Sequence, residues 1–297
     1  MIAHRVFCTY PLPMPPLRGF LRLLLAALWF RLRFPFGTSK KQTGDKTVSL
    51  PTWWGMLTLQ RAAEQTPRLQ RLGIYDVEQS LVLADVLGGN MNILNVGANI
   101  GYFCVLSAYF SKGSILAVEP EESNFALLQM NTSPWPRIHC VRAAIGNSTG
   151  TSTLQLDAEM PGSHSLKEAN TRNAGSKQEV PVVTIDSLLA KEGKKVDVMI
   201  MDIQGAEMLA LEGMQRTLRE DPPRYIFLEF WPYGIRNFQK NPEDLWKVLH
   251  GAGYTLRHVG RSSLPDPETK WRDLIAACER EKQGKGFCNL LAVRARR

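Results

Sequence analysis

Three acidic side chains in this sequence stand at or near the ends of short apolar runs. Glu119 follows Ile115-Leu116-Ala117-Val118, Asp202 follows the run from Val196 to Met201, and Glu229 lies in Tyr225-Ile226-Phe227-Leu228-Glu229-Phe230. A carboxylate at the end of a buried strand can hold a ribose hydroxyl, neutralise an ammonium group or accept a proton from a reacting hydroxyl. A fourth apolar run, Ile93-Leu94-Asn95-Val96, leads into Gly97, Ala98, Asn99 and Gly101. Apolar residues then return at helical spacing, as Ile100, Cys104, Val105 and Ala108. Without a Cβ, Gly97 and Gly101 allow a tight turn and a close approach to a ligand. Asn95 and Asn99 add polar contacts at the same turn.

Strand, glycine-bearing turn and helix form the opening βα unit of a doubly wound, mostly parallel α/β sheet, in which ligands collect at the carboxyl ends of the strands. A dinucleotide site needs G-x-G-x-x-G, its second glycine admitting the pyrophosphate. Here the spacing is G-A-N-I-G, and Asn99 puts a side chain in that place. A cofactor without phosphates, such as S-adenosylmethionine, needs no such clearance and still uses the acidic ribose contact of Glu119. Glu119 also reads as a charge ahead of a helix from Glu121 to Met130, with Pro120 in its first turn.

The remaining elements follow from pattern. Residues 51–90 read as a helical lead-in divided at Pro67 and capping the pocket, with Trp53 and Trp54 in its core. Ile138 to Val141 reads as a third strand containing a core histidine, His139; by analogy with related folds, Ala144 at its end lies near an adenine. Residues 147–179 read as two short strands, Thr153 to Leu156 and Val180 to Ile185, around a long polar loop that serves as a substrate-facing lid. His164 in that loop reads as a base or as a solvated residue. Asp202 closes the fourth strand and either serves the site or caps the helix Met208 to Leu218. Glu207 reads as structural or charge-balancing. Asp221-Pro222-Pro223 precedes the fifth strand, so it is a loop.

Four blocks, N-V-G-A-N-I-G-Y-F (95–103), A-V-E-P-E-E-S-N-F (117–125), V-P-V-V-T-I-D-S-L (180–188) and M-D-I-Q-G-A-E (201–207), resemble the FkbM family of S-adenosylmethionine-dependent methyltransferases. With their spacing they cover roughly residues 73–260. The family usually has an acidic residue where this chain has Asn95, and reads D-x-E-G-x-E where this chain has Gln204. Both replacements keep a hydrogen-bonding oxygen and lose a negative charge. The resemblance implies a Rossmann-like class I fold and O-methylation, on a hydroxyl or a carboxylate, of a sugar or another small metabolite. Taken with the strand-end positions, the candidate cofactor residues are Asn95, Gly97, Ala98, Asn99, Gly101, Glu119, Pro120, Ala144 and Asp202, and Asp202, followed by Glu229, is the candidate at the reacting centre. No His, Asp or Glu cluster has metal-ligand spacing, leaving Asp202 with Glu229 as a partial magnesium site at most.

At 297 residues and 44% hydrophobic content the chain can bury a sizeable core. Five scattered cysteines without a C-x-x-C read as reduced thiols of a cytoplasmic protein. The net charge of +8 resides at the ends: residues 1–50 hold eight Lys or Arg against Asp45, residues 281–297 hold five against Glu281, and the body is slightly acidic. That distribution argues against a nucleic-acid partner. Residues 1–50 form an extension of their own, ahead of the lead-in and a methyltransferase domain at 91–297. Within it, residues 18–36 are apolar and arginine-rich, with an uncharged run from Leu23 to Phe30 far below the ~20 residues of a span. They read as a peripheral membrane helix, a packed or disordered leader, or a transit peptide. Beside the methyltransferase reading stand a catalytically weak, cofactor-binding regulatory protein and an NAD-type oxidoreductase, the last disfavoured by Asn99.

Overall fold

The computed structural model describes residues 41–42, 46–63, 65–157, 160, 162–171, 173–260 and 263–295, so the segment 18–36 lies outside the described residues. The described residues open with antiparallel strands β1 (Lys41–Gln42), β2 (Thr47–Pro51) and β3 (Met56–Gln60), then helices α1 (Gln65–Leu72) and α2 (Val77–Val86). The helical lead-in expected from Pro51 is therefore a turn followed by strand β3 as far as Gln60. Val48 and Leu50, then Leu57 and Leu59, are buried at a period of two, and Thr52 and Gly55 make the turn between them. Pro67 does not divide two helices but lies in the first turn of α1, where its missing N–H costs little. Trp53 packs against the core and Trp54 is buried within it, as expected.

The alternating part follows as β4 (Ile93–Val96), α3 (Tyr102–Phe110), β5 (Ile115–Val118), α4 (Glu122–Thr132) and β6 (Ile138–Val141). A small excursion, β7 (Ala144–Ile145), β8 (Gly150–Asp157) and β9 (Ala174–Val183), forms its own three-stranded sheet in the order β7-β9-β8. Strands β8 and β9 are longer than the two short strands expected there. The chain continues through α5 (Ile185–Glu192), β10 (Val198–Met201), α6 (Glu207–Glu212), α7 (Gln215–Glu220), β11 (Tyr225–Phe230), α8 (Pro232–Asn237), α9 (Pro242–Gly251), β12 (Tyr254–Val259), α10 (Trp271–Arg280) and β13 (Cys288–Arg294).

The main sheet has seven strands in the order β12-β13-β11-β10-β4-β5-β6, with β13 antiparallel to its neighbours and the other pairs parallel. Its apolar runs divide between two layers because successive side chains point to opposite faces. Ile93, Ile115, Val198, Ile200 and Phe227 join the core beneath α2, α3 and the hairpin. Leu94, Val96, Met199, Met201 and Leu228 join the core beneath α6, α9 and α10. Among the described residues edge strand β6 pairs only with β5, and His139 on it is exposed rather than in the core. The helix expected over Met208 to Leu218 breaks at Gly213, where a Cβ would lie 2.2 Å from the Gly146 carbonyl oxygen.

The strand order reverses between β4 and β10, which opens a crevice at their carboxyl ends. There Gly97 adopts φ +77, and a Cβ on it would lie 1.9 Å from the Asp202 carbonyl oxygen. Gly97 is thus required by the protein's own backbone. Gly193 also has positive φ, +61, but nothing lies within 4 Å of its Cβ position. We therefore expect Gly193→Ala to cost about 1–2 kcal/mol for the left-handed backbone alone. Gly97→Ala should cost more by about 1–3 kcal/mol of overpacking. Urea unfolding of the two variants checks this order, and equal losses would show that the β4 turn can yield.

Candidate active site

The crevice widens into a cavity of about 1100 Å³. Its lining includes Asn95, Gly97, Ala98, Asn99, Glu119, Pro120, Ala144, Asp202 and Glu229, while Gly101 stands just behind, as the N-cap of α3. On the β4 side, Gly97 and Ala98 both donate to the Val118 carbonyl, at 3.0 and 2.9 Å, tying the turn to the end of β5. Asn99 takes the left-handed conformation, φ 50, which a short amide side chain tolerates. Its backbone N–H donates to Glu119 Oε2 at 2.8 Å, and its own Oδ1 turns back to accept from Ile100 N–H. The other Glu119 oxygen accepts from Glu121 N–H at 3.0 Å. Glu121, not Glu119, caps the following helix, accepting from Ser123 and Asn124 N–H. The carboxyl of Glu119 is buried, and that burial pushes its pKa up to about 7 against its two N–H donors. Asn95 is buried on β4 with Nδ2 donating to Cys104 Sγ at 3.2 Å. At the far edge Ala144 lies on β7, which pairs with β9.

On the β10 side, Asp202 N–H donates to the Val96 carbonyl, so this turn leaves the sheet level with the first. Gln204, left-handed at φ 53, donates from Nε2 to Asp202 Oδ1 at 2.8 Å and to Glu229 Oε1 at 3.5 Å. One side-chain amide thus faces both carboxylates. Burial and the charges of Asp202 and Glu207 hold the Glu229 pKa well above the ordinary range, with Lys282 opposing. Glu207 is fully buried and accepts from Ile203 and Gly205 N–H, a clasp on the turn that matches its structural reading. Its burial raises its pKa to about 7. Among the described residues no group of three or more His, Cys, Asp or Glu side chains is placed to hold a metal ion.

The loop between β8 and β9 lies over this floor, where Met160, Gly162, Ser163, His164, Ser165 and Asn170 line the cavity. A Cβ on Gly162 would come within 3.2 Å of Asn99 Nδ2, so the loop touches the β4 turn. Asn170, buried, donates to the carbonyls of Gln204 and Gly234 and accepts from Asn237. His164 is half-buried, and its Nδ1 accepts from Asp157 N–H at 2.9 Å. Burial also lowers its pKa. The ring proton is thereby assigned to Nε2, so His164 is neither a solvated loop residue nor a base with a free lone pair.

Sequence reasoning passed over Tyr102, the first residue of α3. Its hydroxyl accepts from Trp54 Nε1 and Tyr75 N–H at 3.2 Å and lies 2.9 Å from Ser80 Oγ. It fastens the lead-in to the β4 turn. A tyrosine directly after the second glycine was the available signal, but its partners lie 22 to 48 residues away.

The profile of the methyltransferase FkbM domain matches residues 95–256. The methyltransferase sdnD of Sordaria araneosa is 23% identical over 245 residues, covering 68% of this chain and 92% of that protein. Solved structures with similarity include the precorrin-6y C5,15-methyltransferase of Geobacter metallireducens, with TM-score 0.42, 12% identity and coverage of 74% of this chain and 89% of that one. The M. jannaschii TYW2 in complex with AdoMet gives TM-score 0.42 and 12% identity, covering 86% and 89%.

Two outcomes are expected from this geometry. Asn170→Ala removes three hydrogen bonds and should cost about 2–3 kcal/mol. Amide exchange should then quicken across residues 162–171 but not in β4 or β5. Glu119 and Glu207 are raised from 4.5 to about 7 in the folded state. The unfolded chain ionises first, so their contribution is complete below about pH 4.5 and is lost as pH rises through 7. Each accounts for up to roughly 3 kcal/mol. Urea unfolding at pH 5 and pH 7.5 should show that loss in the ligand-free protein, and Glu207→Gln should reduce it by about half.

Proposed function

The chain belongs to the FkbM methyltransferase family, and we propose that it transfers the methyl group of S-adenosylmethionine to a hydroxyl of a small, sugar-like or otherwise hydroxylated acceptor. The observation that supports this most is one cavity with two distinct carboxylate stations. Glu119, anchored by Asn99 and Glu121 N–H, suits the ribose diol of the cofactor. Asp202 and Glu229, facing the Gln204 amide, suit the reacting end.

In this reading Asn95 and the turn of Gly97, Ala98, Asn99 and Gly101 cradle the methionyl part, and Pro120 and Ala144 border the adenosine. Asp202 holds the ammonium group or the acceptor. The sulfonium is an activated leaving group, so the protein contributes mainly alignment of the acceptor oxygen with the methyl carbon. The oxygen–carbon bond forms as the carbon–sulfur bond breaks, S-adenosylhomocysteine leaves, and the hydroxyl proton passes to Glu229 or Asp202. A carboxylate acceptor needs no base and would meet the charge of Asp202, which favours a hydroxyl. The roof of residues 162–171 favours a small acceptor over a bulky one. Among the described residues, no helix is long and apolar enough to cross a membrane.

Calorimetric titration with S-adenosylmethionine should show saturable binding that Glu119→Ala weakens at least tenfold. No binding by the folded wild type would overturn the reading. With isotopically labelled donor and a metabolite extract, the label should enter base-stable ether products rather than base-labile esters. Glu229→Gln should slow that transfer about 10²-fold or more while leaving cofactor affinity in place.

A further inference from the structure

The cavity carries a second set of charges that methyl transfer itself does not use. Lys282 and Lys285 line it from the turn between α10 and β13. Both side chains are exposed, and neither is held in a salt bridge among the described residues. Each ammonium instead sits over an aromatic ring, Lys282 Nζ at 4.0 Å from the Phe287 centroid and Lys285 Nζ at 5.0 Å from that of Tyr233. Tyr233 packs against Trp231 with centroids 5.6 Å apart, and Trp231 Nε1 donates to the Lys285 carbonyl at 3.2 Å. The backbone of the turn is left-handed at Lys282 (φ 46), Gln283 (φ 58) and Gly284 (φ 89). Such a run is uncommon for residues with side chains and tends to occur at functional sites.

This turn is placed against the reacting end of the cavity. Strand β13 pairs with β11 so that Asn289 lies opposite Glu229, and Lys285 stands four residues before Asn289. Lys282 is near enough for its charge to act on Glu229. At about 1100 Å³ the cavity exceeds the roughly 300–1,000 Å³ of a pocket for one small ligand.

From these observations we propose that Lys282 and Lys285 form a subsite for an anionic group, a phosphate monoester or a carboxylate, carried by the acceptor whose hydroxyl meets Asp202 and Glu229. The inference rests on the methyl-transfer reading and names the class of its acceptor. Two ammonium groups outside any salt bridge among the described residues can gain charge-assisted hydrogen bonds from an anion that reaches both. The aromatic rings beneath them supply apolar faces for the carbon skeleton. With the anion on the lysines and the hydroxyl on the carboxylates, the acceptor has one orientation, which is what the in-line displacement requires.

The test uses the full-length protein saturated with S-adenosylhomocysteine, its binding verified by calorimetry in the same preparation. Glycerol 3-phosphate, glycerate and uncharged glycerol are then titrated in turn. Either anion, or both, should bind saturably and glycerol should not; the tighter anion identifies the group recognised. The double variant Lys282→Ala/Lys285→Ala should weaken anion binding at least tenfold with S-adenosylhomocysteine affinity and melting temperature unchanged. Lys191→Ala, on the exposed side of α5, should bind as the wild type does. Absence of anion binding in the loaded protein, or binding that the double variant retains, overturns the subsite alone. A folded protein that binds no S-adenosylhomocysteine instead overturns the methyl-transfer reading, and the acceptor subsite with it.

Discussion

The carbonyl of Asp202 occupies the space where a side chain on residue 97 would begin. Two parallel strands in register, Val96 beside Met201, deliver their turns to the same height, and the Asp202 N–H still pairs with Val96. From that contact the chains diverge, one toward Glu119 and the β5 edge, the other toward Glu229 and the β11 edge. The crevice between them opens into the cavity that both turns line. Residue 97 must be glycine so that the two turns can touch, whatever the ligand.

The two turns solve the same problem alike. Each carries a left-handed amide residue, Asn99 or Gln204, close to a buried glutamate that accepts backbone N–H groups, Glu119 or Glu207. Orphan N–H donors in a tight turn are costly when buried, and a carboxylate satisfies two at once. The cost moves to the carboxylate, whose burial raises its pKa. With Asp202 and Glu229 nearby, a further negative charge at position 204 would add to that repulsion. The neutral amide of Gln204 instead donates toward both carboxylates.

Closure over this floor comes from two directions. The lead-in is fastened by the Tyr102 hydroxyl, and the β8–β9 loop by Asn170. Both are buried polar side chains with several partners, which makes each a point where many weak constraints converge. The lysine turn before β13 completes the wall from a third side.

Much of the fold was legible because strands buried on both faces read as unbroken apolar runs, and the turns between strand and helix carry their own residue chemistry. The sequence alone therefore determined the βα unit at 93–110, the carboxylates at strand ends and the family. It misassigned Pro51 to Gln60 as helix, because alternation in a short apolar stretch is ambiguous until a partner strand is present. His139 went to the core for want of knowing that β6 is an edge. Which groups share the cavity was decided only by tertiary structure. Lys282, Tyr102, Gln204 and His164 acquire their surroundings through contacts between distant segments, and no local spacing encodes burial, charge proximity or the tautomer that a distant N–H imposes.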